Sequence, residues 1–188
     1  KPYFPLIDDE VATEFKFYPV PEKNARAYHI ADAHNRRIGP AKAASFYGDV
    51  DFLILNGDIP DHSGKPENFT TIYEIAESVT HGEKPIVFAR GNHDLRGAGA
   101  EKIHQFTPTE NGKTYYTFRL GTIWGLILDC GEDKYDNHPE YGGVNVCEPF
   151  RREETRFIKD VIARADEEYE APGVSHRIIM VHIPFTHQ

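Results

Sequence analysis

The stretch Phe52-Leu53-Ile54-Leu55-Asn56-Gly57-Asp58-Ile59-Pro60-Asp61 joins four apolar residues to a turn holding a glycine and two carboxylates. An uninterrupted apolar run of this length suits a strand buried on both faces, as in parallel sheets covered by helices. The pattern recurs. Ala27 to Ala31, Ile86 to Ala89, Ile123 to Leu128 and Ile178 to Val181 are further short runs rich in Ile, Leu, Val or aromatic residues. Amphipathic stretches lie between them. Ile72, Ile75, Ala76 and Val79 follow the i, i+3, i+4, i+7 template, and Gly82 just past them predicts the helix stop. Phe157, Ile158, Val161, Ile162 and Ala165 form a second apolar stripe, preceded by Pro149 and the acidic pair Glu153 and Glu154. Ala41 to Tyr47 predicts a shorter helix, with Pro40 near its first turn. Alternating strands and helices from Ala25 onward indicate a layered α/β domain.

What flanks this pattern is different in kind. Residues 1–24 are rich in proline and acidic residues, and read as a linker or the remnant of an upstream domain, with a short strand at Phe15, Phe17 and Tyr18. Residues 130–148 are dense in Gly, Pro, Asp and Asn and read as a long surface loop of the functional or mobile kind. The 188 residues suit one domain, large enough to bury a substantial core. With 21 basic against 30 acidic side chains the net charge is −9, which argues against an extended nucleic-acid track. It leaves room for a small anionic substrate held by cations. No run approaches the roughly 18 apolar residues of a membrane span, and Lys1-Pro2-Tyr3-Phe4-Pro5 lacks a signal-peptide layout. Cys130 and Cys147 are too few for a disulfide scaffold, and are compatible with either one bridge or two free thiols.

The chemistry gathers where the strands end. The first run ends in Asp32-Ala33-His34, the second in Asn56-Gly57-Asp58-Ile59-Pro60-Asp61, the third in Arg90-Gly91-Asn92-His93-Asp94, and the last in His182. Ligands of open α/β sheets collect outside the carboxyl ends of strands, where loops converge. Carboxylates, imidazoles and an amide, with no cysteine cluster, suit Mn, Fe or Zn rather than a structural zinc knot. Asp32 and His34 flank one residue, so on an extended strand end they would point the same way and share an ion. Asp58 could bridge two ions, one oxygen to each, with Asn92 and His182 offering further donors. Two ions about 3.5–4 Å apart would trap a hydroxide and clamp a phosphate. His93 is then free to face substrate as a proton donor, with Asp61 placed to orient its ring and keep it cationic.

Asp-x-His, Gly-Asp-x-x-Asp, Gly-Asn-His-Asp and a strand-end His, in this order over residues 32 to 182, resemble the calcineurin-like metallophosphoesterase superfamily. The resemblance implies a four-layer α-β-β-α sandwich and a site with two divalent or trivalent metal ions. Asp32 and His34 would bind the first, Asp58 would bridge, and Asn92 and His182 would bind the second. His93 with Asp61 would be catalytic. Leu128-Asp129-Cys130-Gly131-Glu132-Asp133 is similar to bacterial members that carry an extra N-terminal β-sandwich domain. The family closes its site with a Gly-His-x-His motif. His187 lacks the preceding Gly, so the catalytic domain at 25–188 is expected to be incomplete at its C-terminus, and this chain to bind metal weakly.

The implied activity is hydrolysis of a small phosphomonoester or diester. The competing reading is a metal-binding or interaction scaffold on the same fold, against which His93 argues, because non-catalytic relatives tend to lose that histidine. Asp94 reads as a capping residue. Arg36 and Arg96 each follow a motif and could meet a phosphate oxygen, although solvated surface arginine is the commoner state. His62, beside Asp61, is set aside with the remaining histidines. Localisation is open, with export slightly favoured by the resemblance alone.

Overall fold

The structure, a computed structural model, describes residues 14, 16–142 and 147–184. Its strands are β1 (Ala27–Ile30), β2 (Phe52–Asn56), β3 (Ile86–Ala89), β4 (Tyr116–Leu120), β5 (Ile123–Ile127) and β6 (His176–Met180). Among the described residues three α-helices, α1 (Ile38–Tyr47), α2 (Thr70–Thr80) and α3 (Cys147–Ala163), join them. One sheet has the order β1-β2-β3, all parallel. The other has the order β4-β5-β6, with β4 antiparallel and β6 parallel to β5.

Alternation along the strands sorts the core into layers. Leu53, Leu55 and Phe88 face α2 and pack with Ile72, Ile75 and Ala76. Their neighbours Phe52, Ile54, Val87 and Ala89 point the other way, onto Tyr116, Ile127 and Met180 of the second sheet. From β5, Trp124 and Leu126 turn outward with Leu128 to meet Val161, Phe157 and Ile158 of α3. Because successive side chains leave a strand on opposite faces, two sheets buried on both sides need a helical cover at each end of the stack. The result is the four-layer α-β-β-α sandwich.

Several local expectations are revised. β4 was not among the apolar runs; it is a short edge strand whose Tyr116 hydroxyl donates to the Phe88 carbonyl (2.9 Å) and accepts from the Phe88 N–H (3.3 Å). That pairs both outer backbone groups of Phe88 on β3, an edge strand among the described residues. Tyr18 and Phe17 lie in irregular chain and not in a strand, while Phe15 lies outside the described residues, as does most of the proposed linker over 1–24. At the end of α2 it is His81 that first turns left-handed (φ 54°), its N–H returning to the Glu77 carbonyl, with Gly82 continuing the turn. α3 starts at Cys147, inside the expected loop, and buries Glu154 while Ile162 stays 57% exposed.

Candidate metal centre

The parallel order of β1, β2 and β3 brings their carboxyl ends to one rim, and β6 reaches the same rim from the second sheet. The His182 ring joins it there, its Nδ1 2.7 Å from the Asn56 carbonyl oxygen. This approach depends on Gly57. With φ of 79°, Gly57 sits in a conformation that side chains disfavour, and a Cβ on it would lie 2.5 Å from the His182 ring. Asp32, His34 and Asp58 also take left-handed backbone (φ 54°, 45° and 53°). The Asp32-Ala33-His34 segment is therefore a tight turn rather than an extended strand end. Its two side chains meet all the same, with His34 Nε2 3.7 Å from Asp32 Oδ1. Non-glycine residues in this region cost energy and cluster where a site overrides local preference.

Asp58 is the hub. The residue is 3% exposed. One oxygen accepts from the His93 N–H at 2.8 Å, and the other lies 3.3 Å from His182 Nε2, 3.9 Å from His34 Nε2 and 4.0 Å from His93 Nε2. Burial alone would raise its pKa. The His182 contact and the His93 backbone N–H outweigh that and hold it below the usual value. His182 shows the complementary effect: burial pushes it down, but Asp58 and the Asn56 carbonyl raise it to about 9. Asp94, fully buried beneath, accepts from the backbone N–H groups of Gly91 (2.7 Å) and Asp58 (3.1 Å), and so ties the two turns together. Burial lifts its pKa to about 7.

The remaining residues take distinct places. His93 Nδ1 contacts the Asp61 backbone carbonyl at 2.7 Å, whereas the Asp61 carboxylate lies 3.1 Å from His34 Nδ1 and 3.8 Å from His93 Nδ1. The His34 and His93 rings meet edge to face at 4.5 Å. Asn92 sits between Asp58 and Arg96. With its nitrogen toward Asp58 it donates to Oδ2 (3.3 Å) and accepts from Arg96 (3.0 Å). With its oxygen toward Asp58, two oxygens face each other, which a cation between them would stabilise. His62 closes a local turn by accepting from the Gly64 N–H, and Arg36 is exposed. Sequence reasoning passed over Asn35, whose side-chain oxygen accepts from the Asp61 N–H (3.3 Å), and Glu132, which reaches Arg96. The latter had a signal in the polar Gly131-Glu132-Asp133 run after β5. Burial pushes the Cys130 thiol up to about 12, and its Sγ donates to the Ile183 carbonyl at 2.9 Å.

Among the described residues, two groups of donor atoms result, each with all members within 4.8 Å of one another: His34, Asp58 and His93, and Asp32, Asp58 and His182. They share Asp58. The family model for calcineurin-like phosphoesterases matches residues 25–188. The chain belongs to the calcineurin-like phosphoesterase family. Among solved structures it is similar to a purple acid phosphatase from yellow lupin (Lupinus luteus) seeds, with 18% identity and a TM-score of 0.53 over 86% of this chain. That likeness supports the fold, and this chain spans 31% of that structure's length. No curated protein matches. For a calcineurin-like phosphoesterase the donor set is apt: carboxylate and imidazole atoms crowd around one buried carboxylate, as hard-to-borderline ions require.

Proposed function

We propose that this protein hydrolyses a small phosphoester, mono- or diester, at a two-metal centre held by Asp32, His34, Asp58, Asn92 and His182, with His93 assisting. The carrying observation is the pair of donor groups that share Asp58. Ions bound there would supply a nucleophile at neutral pH and neutralise phosphoryl charge. Mn, Fe and Zn suit the donors, which do not choose among them. Asp58 is the bridging candidate because its Oδ2 lies within 4.0 Å of His182, His34 and His93, while the His93 N–H holds Oδ1 and Asp94 pins its backbone. His93 stays out of this ligand set. Its Nδ1 is taken by the Asp61 carbonyl, leaving Nε2 toward the centre, where it can give a proton to a leaving oxygen. Asp61 sets the His93 ring through its backbone, and its carboxylate orients His34.

Metal analysis combined with hydrolysis of mono- and bis-nitrophenyl phosphate tests this reading. Asp58→Asn is expected to lose both metal and turnover. His93→Ala is expected to keep its metal and lose about 10²–10⁴-fold in turnover, the usual contribution of a positioned acid. Metal uptake without hydrolysis of either ester would favour the scaffold reading, and no metal uptake at all would defeat both.

A further inference from the structure

Arg96 stands three residues beyond His93 and turns back over it, with Nη1 3.1 Å from His93 Nε2. An arginine side chain has many rotamers, and within its own turn the Asn92 side-chain oxygen engages one nitrogen, Nη2, at 3.0 Å. A two-point anchor comes from the loop after β5. Glu132 receives the guanidinium on both carboxylate oxygens, Nε to Oε1 at 3.3 Å and Nη2 to Oε2 at 2.9 Å. Asp133 adds a contact at 3.2 Å, but its carboxylate is shared with Lys134 and is more exposed than that of Glu132 (31% against 12%). A two-oxygen fork fixes the plane of a guanidinium as well as its position. With Nε and Nη2 engaged by Glu132, Nη1 is the arm left to face the imidazole. The ring is thereby held at both nitrogens: Nδ1 donates to the Asp61 carbonyl, and unprotonated Nε2 accepts from Arg96, a bond that passes to the leaving oxygen once Nε2 is protonated.

We propose that Glu132 is a positioning residue for the leaving-group side of this site: its fork holds Arg96 against His93, keeping a fixed positive charge beside Nε2. This rests on the phosphoesterase reading above. Negative charge grows on the leaving oxygen as the ester bond breaks, and a pre-placed guanidinium stabilises it without reorganisation. Glu132 touches no reacting atom and acts only through Arg96. The loop from Gly131 onward thus takes part in the chemistry although it carries no expected metal donor.

The test uses the metal-loaded protein and a series of aryl phosphates whose leaving phenols rise in pKa. Glu132→Ala is expected to lower kcat/KM about 10–100-fold for the poorest leaving groups, the usual cost of losing an orienting partner. For nitrophenyl esters the loss is expected to be only a few-fold, with metal content unchanged. Glu132→Gln, which keeps an acceptor for the fork, should recover part of the loss. An equal loss for every ester, or none, overturns the proposal. A second measurement is independent of turnover. In the metal-free protein, the imidazole nitrogen signals of His93 in nitrogen-edited NMR spectra should shift in both Glu132→Ala and Arg96→Ala. Unchanged signals overturn the fork. Should the wild-type protein hydrolyse no ester, the phosphoesterase reading falls while the spectra still decide whether Glu132 positions Arg96.

Discussion

Gly91 opens the turn that carries Asn92 and His93, and it has no room for a side chain. A Cβ at Gly91 would stand 2.2 Å from Asp58 Oδ1 and 2.6 Å from the Asp58 backbone nitrogen. Non-bonded heavy atoms are comfortable near 3.5 Å, so Gly91→Ala requires a displacement of roughly 1 Å. Asp58 cannot yield freely. Its Oδ1 accepts from the His93 N–H, its N–H donates to Asp94, and its Oδ2 lies 3.3 Å from His182. Overpacking of this kind costs about 1–3 kcal/mol. In a chain of this length that is a fall of roughly 2–12 °C in Tm. The larger effect falls on the site, where a 1 Å misplacement costs on the order of 10² in rate, with metal affinity expected to fall alongside. Thermal melts combined with a calorimetric Mn titration measure both. If Gly91→Ala melts within 1 °C of wild type and binds Mn as tightly, the argument that Gly91 exists to admit Asp58 is wrong.

Glu154 provides a pH-dependent prediction. Burial pushes its pKa up to about 8, against help from the Asp129 N–H and the nearby Arg90 and Arg151. A carboxyl whose folded pKa exceeds its unfolded value binds its proton more tightly when folded, so stability falls as pH rises from about 4.5 to 8. Glu154→Gln keeps an acceptor for Asp129 and should flatten that fall, with a gain on the order of a few kcal/mol at pH 8 and little at pH 4.5. Urea denaturation at the two pH values checks this, and parallel pH profiles for variant and wild type would refute it. Ile127, fully buried between the two sheets, should cost about 2–5 kcal/mol when changed to Ala, read as a lower urea midpoint. A change below 1 kcal/mol would mean that the inter-sheet core can collapse around the gap.

Much of this protein follows from residues close together in the chain. The apolar runs at 52–55 and 86–89 are strands because they are continuous and buried on both faces, and the apolar spacing of α2 is visible without any contact map. The expected site residues were legible for a similar reason. Asp58 and Asp61, or Asn92 and His93, each occupy one short turn after one strand, so their chemistry and their order can be read together. β4 was harder: Tyr116, Phe118 and Leu120 alternate with polar residues, and a search for unbroken apolar runs passes over such an edge strand. Glu154 reads in the sequence only as one of an acidic pair before the α3 stripe, because its burial depends on the distant Asp129 N–H just after β5.

Tertiary structure decided everything that depends on distant pairs. His182 meets Asp58 because β6 pairs with β5 in a register that carries its end to the rim of the other sheet. Asp61 reaches His93 through its backbone carbonyl, a group every residue has and no sequence marks out. Glu132 finds Arg96 across 36 positions. Local spacing encodes which side chains a strand end presents; strand register and sheet stacking determine which of them share a point in space.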